Sequence, residues 1–383
     1  MGVDTIEEFR IDIPQAELDD LRDRLGRTRW PDQLPGVGWD YGIALDDVRE
    51  LAEYWRTGYD WRVHERRLNS FPQFTTEIDG QVVHFLHVRS ASPGAMPLIM
   101  THGWPGSVVE FMEIIGPLTD PGAHGGDPGD AFHMVVPSIP GFGFSGPTRE
   151  RGWNVTRVAR AWDSLMGRLG YQRYGAQGGD WGSAISRELG VIVPEQMIGV
   201  HLNMLSPYVS GDLPADLSDS DRARVERLRR FRLAGSGYSA IQSTRPQTVG
   251  YGLTDSPAGQ LAWVIEKFYN WTDNRGRPED AIGRDALLDN VMVYWLTNTA
   301  ASSARLYWES MVASLGSFDP IPGPLAYSKF PHEIFTFSER FVKTRVENLT
   351  YYGEPAAGGH FAAFEQPGLF VDELNAGIES LPD

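Results

Sequence analysis

The chain has 383 residues, a formal charge of −17 and no cysteine. That length can bury one large α/β core carrying an insertion. The acidic balance excludes the basic face that nucleic acids and anionic membranes require, and the missing thiols exclude disulfides, thiolate catalysis and cysteine-ligated zinc.

The opening MGVDTIEEFRIDIP lacks a basic stretch followed by an apolar one, and no later window is apolar enough to span a membrane. A soluble, cytoplasmic protein is therefore expected. Residues 1–73 read as an N-terminal helical segment: IPQAELDDLRDRLGRTRW and ALDDVRELAEYWRTGYDWRVHERRL set apolar residues at helical spacing, and the turn-rich WPDQLPGVGW joins them. At Phe74 the pattern changes, and Asp79-Gly80 between β-rich arms predicts a hairpin. The apolar runs PLIMTHG, AFHMVVPSIPG, YQRYGAQGGD and QMIGVHLN then alternate with the helical VVEFMEIIGPL, VTRVARAWDSLMGRLG and SAISRELGVIV. That rhythm predicts a mostly parallel sheet flanked by helices, with its first part over 74–205. Residues 206–318 are charged, aromatic and helical, the pattern of an inserted cap. In the second core part, 319–383, LAYSKFP and NLTYYGEP read as strands around a helical SERFVKTRV, and LFVDELNAGIESL as a closing helix.

Gly178-Gly179-Asp180-Trp181-Gly182 has the small-x-nucleophile-x-small spacing of a nucleophile elbow, with aspartate where a hydrolase usually keeps serine. The plainer alternative is a Gly-rich strand-to-helix turn in which Asp180 caps the helix. Two further signals favour an α/β-hydrolase fold. His102-Gly103-Trp104-Pro105-Gly106-Ser107 follows an apolar run at the place where that fold keeps an oxyanion-hole donor, the N–H of Trp104. His360, in AAGGHFAAFEQP, stands where the fold keeps its catalytic base. Glu333, after LAYSKFP, is the favoured acid for orienting it, ahead of Glu339 and Asp372.

Aspartate at the elbow points to attack on an sp³ carbon. A serine would form an ether that activated water cannot readily cleave, whereas Asp180 would form an ester. Water activated by His360 could hydrolyse that ester while the N–H groups of Trp104 and Trp181 hold the oxyanion. Epoxides and haloalkanes both fit. A halide needs only weak donors, but an epoxide oxygen leaves as an alkoxide and needs an acid, such as a tyrosine hydroxyl. Tyr238 and Tyr307 in the cap are candidates, with aromatic packing as the alternative role of each.

At these residues the sequence resembles the microsomal-type epoxide hydrolases over nearly its whole length. The resemblance is carried by HGWPGS, GGDWGS, the run SGYSAIQSTRPQTVGYGLTDSP from Ser236, NVMVYWLTNTAASSARLYWES, FPHEIF and GGHFAAFEQP. The first segment, with RTRWPD and YWRTGYDWR, resembles that family's N-terminal region, which wraps the core. The resemblance implies Asp180 as nucleophile, His360 as base, Glu333 as its orienting acid, and Tyr238 and Tyr307 as paired donors to the epoxide oxygen. It implies no cofactor. The eukaryotic members' membrane anchor is not seen here and is not carried over. Bacterial relatives include hydrolases of natural-product pathways, some of them enediyne-type antibiotic pathways, so biosynthesis and detoxification both stand as settings.

Gly141-Phe142-Gly143-Phe144-Ser145-Gly146 matches a dinucleotide-binding pattern, but Pro147 and a charged loop follow where a helix is required. The stretch is read instead as a loop lining the active site. His332-Glu333 and His64-Glu65 lack the second histidine of a zinc motif, so no metal is expected. The alternatives to an epoxide hydrolase are a haloalkane dehalogenase and a catalytically inactive binding protein of the same fold. The expected partner is a small epoxide, aromatic or bulky and apolar, with no nucleic acid and no membrane; a homo-oligomer is compatible with the sequence.

Overall fold

The apolar runs become the strands of one sheet in the computed structural model, which describes residues 5–205, 217–312, 320–344 and 346–381. The strands are β1 (Ile6–Glu8), β2 (Gln73–Ile78), β3 (Gln81–Val88), β4 (Met96–Thr101), β5 (Phe132–Pro137), β6 (Tyr174–Gly178), β7 (Met197–Leu202), β8 (Leu325–Ser328) and β9 (Leu349–Gly353). Their order is β1-β2-β3-β5-β4-β6-β7-β8-β9, antiparallel from β1 to β5 and parallel from β5 to β9. Parallel strands covered on both faces must be apolar throughout, and Leu98, Ile99 and Met100 of β4 are fully buried. The β2–β3 turn forms as its Asp-Gly pair predicts: Asp79 and Gly80 both take left-handed backbone, at φ 49 and 74, and Ile78 pairs with Gln81.

The helices are α1 (Gln15–Gly26), α2 (Leu45–Thr57), α3 (Trp61–Leu68), α4 (Ile115–Thr119), α5 (Val155–Arg168), α6 (Asp180–Ile192), α7 (Asp219–Arg230), α8 (Gly237–Thr244), α9 (Pro246–Asp255), α10 (Pro257–Trp271), α11 (Arg284–Leu296), α12 (Ala300–Val312), α13 (Glu339–Lys343), α14 (Ala362–Glu365) and α15 (Pro367–Glu379). Helices α7 to α12 lie between β7 and β8 in the chain. The expected boundaries of this insertion, at 206 and 318, fall outside the described residues. Among the described residues no helix is long and apolar enough to cross a membrane.

Three local expectations change. The N-terminal segment is not all helical, because β1 adds to the free edge of β2, pairing Ile6 with Thr76. A three-residue strand has too little periodicity to be seen in sequence. The second helical stretch breaks into α2 and α3, where Gly58 closes one helix and the Asp60 carboxylate caps the next through the Arg62 N–H. VVEFMEIIGPL gives a 3₁₀ turn at Val108–Phe111, capped by Ser107, and the short α4 instead of one helix.

The N-terminal segment reaches past the sheet to the inserted helices. The indole N–H of Trp55 meets the Met292 sulfur at 3.1 Å, Tyr59 donates to Asp289 at 2.6 Å, and Trp39 stacks on Tyr269 at 3.7 Å. Trp55 is 2 % exposed, and burying a side chain of that size contributes at least about 2 kcal/mol. This clamp fixes α10 and α11, and with them the roof of the site, relative to the sheet.

Candidate active site

Asp180 begins α6 directly after β6, in left-handed backbone at φ 48. Such backbone costs a non-glycine residue about 1–3 kcal/mol, so the surroundings must hold it. The flanking glycines let them do so. A Cβ on Gly178 would lie 2.1 Å from the Gly182 oxygen, and one on Gly182 would lie 1.9 Å from the Thr101 oxygen. Gly103 is equally constrained, since its Cβ would meet the Asp180 carboxylate at 2.3 Å. Asp180 is not a helix cap: Gly179 holds that position, and the Asp180 Oδ1 accepts the Trp104 N–H at 2.7 Å. The Trp181 N–H lies in the first turn of α6, ahead of the first intrahelical bond, Ser183 N–H to Gly179. His102 supports the turn from behind, taking the Ile139 N–H on Nε2; burial pushes its pKa down to about 4 and keeps it neutral.

His360 follows β9 and is buried, with Nδ1 at 2.9 and 3.1 Å from the Glu333 carboxylate and Nε2 at 3.4 Å from Asp180 Oδ2. Its own N–H donates to the Trp271 oxygen, an approach open only because residue 359 is glycine: a Cβ there would lie 2.5 Å from that oxygen. Glu333 lies beyond the end of β8 rather than on its edge. It is brought to His360 because the loops after β8 and β9 pair, with the His332 N–H donating to the Gly358 oxygen. The other two acid candidates are elsewhere, Glu339 exposed and paired with Lys343, and Asp372 exposed on α15. Burial favours a neutral His360, but Glu333 and Asp180 outweigh it and raise its pKa well above the usual imidazole value.

Tyr238 on α8 and Tyr307 on α12 come down over the same carboxylate, and their hydroxyls hydrogen-bond each other. The Trp181 indole N–H donates to the Tyr307 oxygen, and the Trp104 ring stacks on Tyr238 at 5.0 Å and 7°. Burial, reinforced by Asp180, raises the pKa of both phenols above the ordinary value, so both keep their protons. A cavity of about 180 Å³ connects Asp180 with these hydroxyls and is lined by Trp181, Met204, Phe231 and Phe335.

A carboxylate between an imidazole and two phenols is a chemical arrangement; the family comes from comparison with known proteins. The family model described as "Epoxide hydrolase N terminus" matches residues 6–111, and that for the "alpha/beta hydrolase fold" matches 96–308. A relative from Stigmatella aurantiaca is 49% identical over 369 residues, covering 96% of this chain and 84% of that one. Epoxide hydrolase 1 of Sus scrofa is 36% identical over 400 residues, covering 97% and 88%. The chain belongs to the epoxide hydrolase family. Among solved structures, this hydrolase superposes on the Aspergillus niger epoxide hydrolase with a TM-score of 0.87 at 34% identity, covering 99% of this chain and 97% of that one. It superposes on the juvenile hormone epoxide hydrolase of Bombyx mori with a TM-score of 0.85 at 33% identity, covering 98% and 94%.

Several residues at the hydrolase's site carry no sequence signature. Lys267 on α10 is buried, pairs with Glu266 at 2.9 Å and holds its ammonium 4.7 Å from the centre of the Tyr238 ring. That distance suits a cation–π contact, which steadies the ring. Trp271, at the end of α10, packs against both Tyr238 and His360. Only the repeated spacing of apolar residues along α10 hints that this helix faces inward. The loop PSIPGFGFSGP does not line the cavity at Asp180. It lies beneath it, where Phe142 packs on His102 and Gly141 accepts a hydrogen bond from Ser302 of α12.

Proposed function

We propose that this enzyme hydrolyses an epoxide to a vicinal diol through a covalent ester on Asp180. The observation that carries the proposal is the division of labour around one carboxylate: Oδ1 accepts the Trp104 N–H, Oδ2 faces His360 Nε2 at 3.4 Å, and the two phenols face it across the cavity. Oδ2 attacks a ring carbon, the carbon–oxygen bond of the epoxide breaks, and its electron pair stays on oxygen. Tyr238 and Tyr307 hydrogen-bond that developing alkoxide, which takes the proton held on His360 and leaves the imidazole neutral. Water then adds to Cγ of Asp180 and gives a proton to His360, and the resulting oxyanion at Oδ1 is held by the N–H groups of Trp104 and Trp181. Breaking the Cγ–Oδ2 bond, with the proton of the added hydroxyl passing to the departing oxygen, releases the diol and restores the carboxylate. The apolar lining favours an aryl or bulky alkyl epoxide.

Rapid-quench turnover of a racemic aryl epoxide tests the reading. Wild-type enzyme should form diol, and Tyr238→Phe or Tyr307→Phe should slow ester formation by about 10- to 100-fold while ester hydrolysis changes by less than about threefold. A slower second step with an unchanged first would remove the tyrosines from the donor role. Halide release from a chloroalkane, with no diol from any epoxide, would favour the dehalogenase alternative.

A further inference from the structure

Behind Asp180, on the side away from the tyrosines, lies a second cavity of about 20 Å³, lined by Thr101, Trp104, Glu110, Asp180, Asn203 and His360 among others. That is room for one water molecule. Glu110 belongs to the 3₁₀ turn that follows HGWPGS and is only 9 % exposed. The Ser107 N–H reaches its carboxyl, but Oε1 is buried without a hydrogen-bond partner among the protein groups. Gly106 makes the space for it, since a Cβ there would fall 1.4 Å from Oε1. A buried acceptor without a partner is costly, so its retention beside the reacting carboxylate calls for a ligand. Water is the one that fits.

We propose that Glu110 positions the hydrolytic water. The inference rests on the Asp180 ester proposed above. The water sits between three groups: one hydrogen points to His360 Nε2 and is transferred there, the other is held by Glu110 Oε1, and the oxygen faces Cγ of Asp180. Glu110 accepts a hydrogen bond and gains no proton in the step, so the balance of ester hydrolysis is unchanged. The charges around the site suit a neutral carboxylic acid. Burial pushes Glu110 up to about 8; His360 opposes the rise, and Asp180 and Glu365 add to it. Neutral His102 lines the same cavity, and Tyr294 lies close enough to feel a charge on Glu110. A neutral Glu110 can still accept the water's hydrogen bond. An ionised one would be a further carboxylate near His360, keeping the imidazole protonated and so unable to take the water's proton.

The test separates the two steps in Glu110→Leu, Glu110→Gln and wild type by rapid quench with an aryl epoxide, following the mass of the Asp180 peptide. In Glu110→Leu ester formation should stay within about twofold of wild type while ester hydrolysis falls by at least about tenfold, because the water is no longer held in line. The ester should then accumulate toward one per active site. Glu110→Gln, whose amide oxygen still accepts, should hydrolyse the ester within about threefold of wild type. Wild-type ester hydrolysis should decline as pH rises through about 8, and Glu110→Gln should lack that decline. Unchanged hydrolysis in Glu110→Leu, an equal fall in both steps, or identical pH profiles for Glu110→Gln and wild type would each overturn the proposal. If Glu110→Leu does not fold, the pH comparison decides alone. If wild-type enzyme makes diol without any ester on Asp180, the reading beneath this one fails instead, a result distinct from normal ester chemistry in the Glu110 variants.

Discussion

Replacing Asp180 with alanine should lower kcat/KM for epoxide opening by at least about 10⁴-fold, the scale of loss when a covalent nucleophile is removed. The substitution leaves the rest of the machinery in place. Tyr238 and Tyr307 are held by Trp104, Trp181 and Lys267 rather than by Asp180, and His360 keeps Glu333 on Nδ1. What disappears is the atom that attacks carbon, and water in the apolar cavity is a poor substitute. Alanine inherits the left-handed backbone of residue 180, so no relief of strain should accompany the loss. Diol measured by chromatography, with circular dichroism to show an intact fold, checks the result. Retention of more than about one-hundredth of wild-type activity would mean that the carboxylate acts only by electrostatics.

Exchanging His360 for glutamine should leave ester formation within about tenfold of wild type and slow ester hydrolysis by about 10³-fold or more. Intact mass should then rise by one epoxide per chain. The asymmetry follows from proton accounting. In the free enzyme two carboxylates, Glu333 and Asp180, face His360 and hold a proton on it despite its burial. Ester formation neutralises Asp180, leaving Glu333 as the one partner on Nδ1, so the imidazole loses part of what held its proton. It can pass that proton to the alkoxide hydrogen-bonded by the tyrosines and stand neutral for the second step. Water then restores it. Glutamine can neither supply nor take that proton, but the tyrosines still assist ring opening, so the second step suffers most. Slower ester formation with unchanged ester hydrolysis would place His360 in the first step alone, and an equal fall in both steps would contradict the asymmetry.

The elbow and the sheet were legible because their constraints are local. Gly178 and Gly182 are required by backbone contacts within a few residues of Asp180 or across one strand, and the Asp79-Gly80 turn is fixed by its own dihedral angles. HGWPGS brings the Trp104 N–H to Asp180 for the same reason, since it is tied to the end of β4. Glu333 was favoured for its place after the strand-like LAYSKFP, but its approach to His360 depends on the pairing of the loops after β8 and β9, which no local pattern encodes. Glu110 and Lys267 were missed. Each is one charged residue within an apolar or helical run, and only the packing of the 3₁₀ turn behind Asp180 and of α10 over Tyr238 gives it meaning. The strand β1 was missed because its partner, the edge of β2, lies far along the chain.

The central claim, that the reaction passes through an ester on Asp180, is tested most directly by one turnover in ¹⁸O-labelled water. With enzyme in excess over a single equivalent of epoxide, the oxygen delivered to the diol should be the former Oδ2, and the label should appear in the Asp180 carboxylate when its peptide is weighed. Label found only in the diol, with none in Asp180, would contradict the ester and indicate direct attack of water on the epoxide.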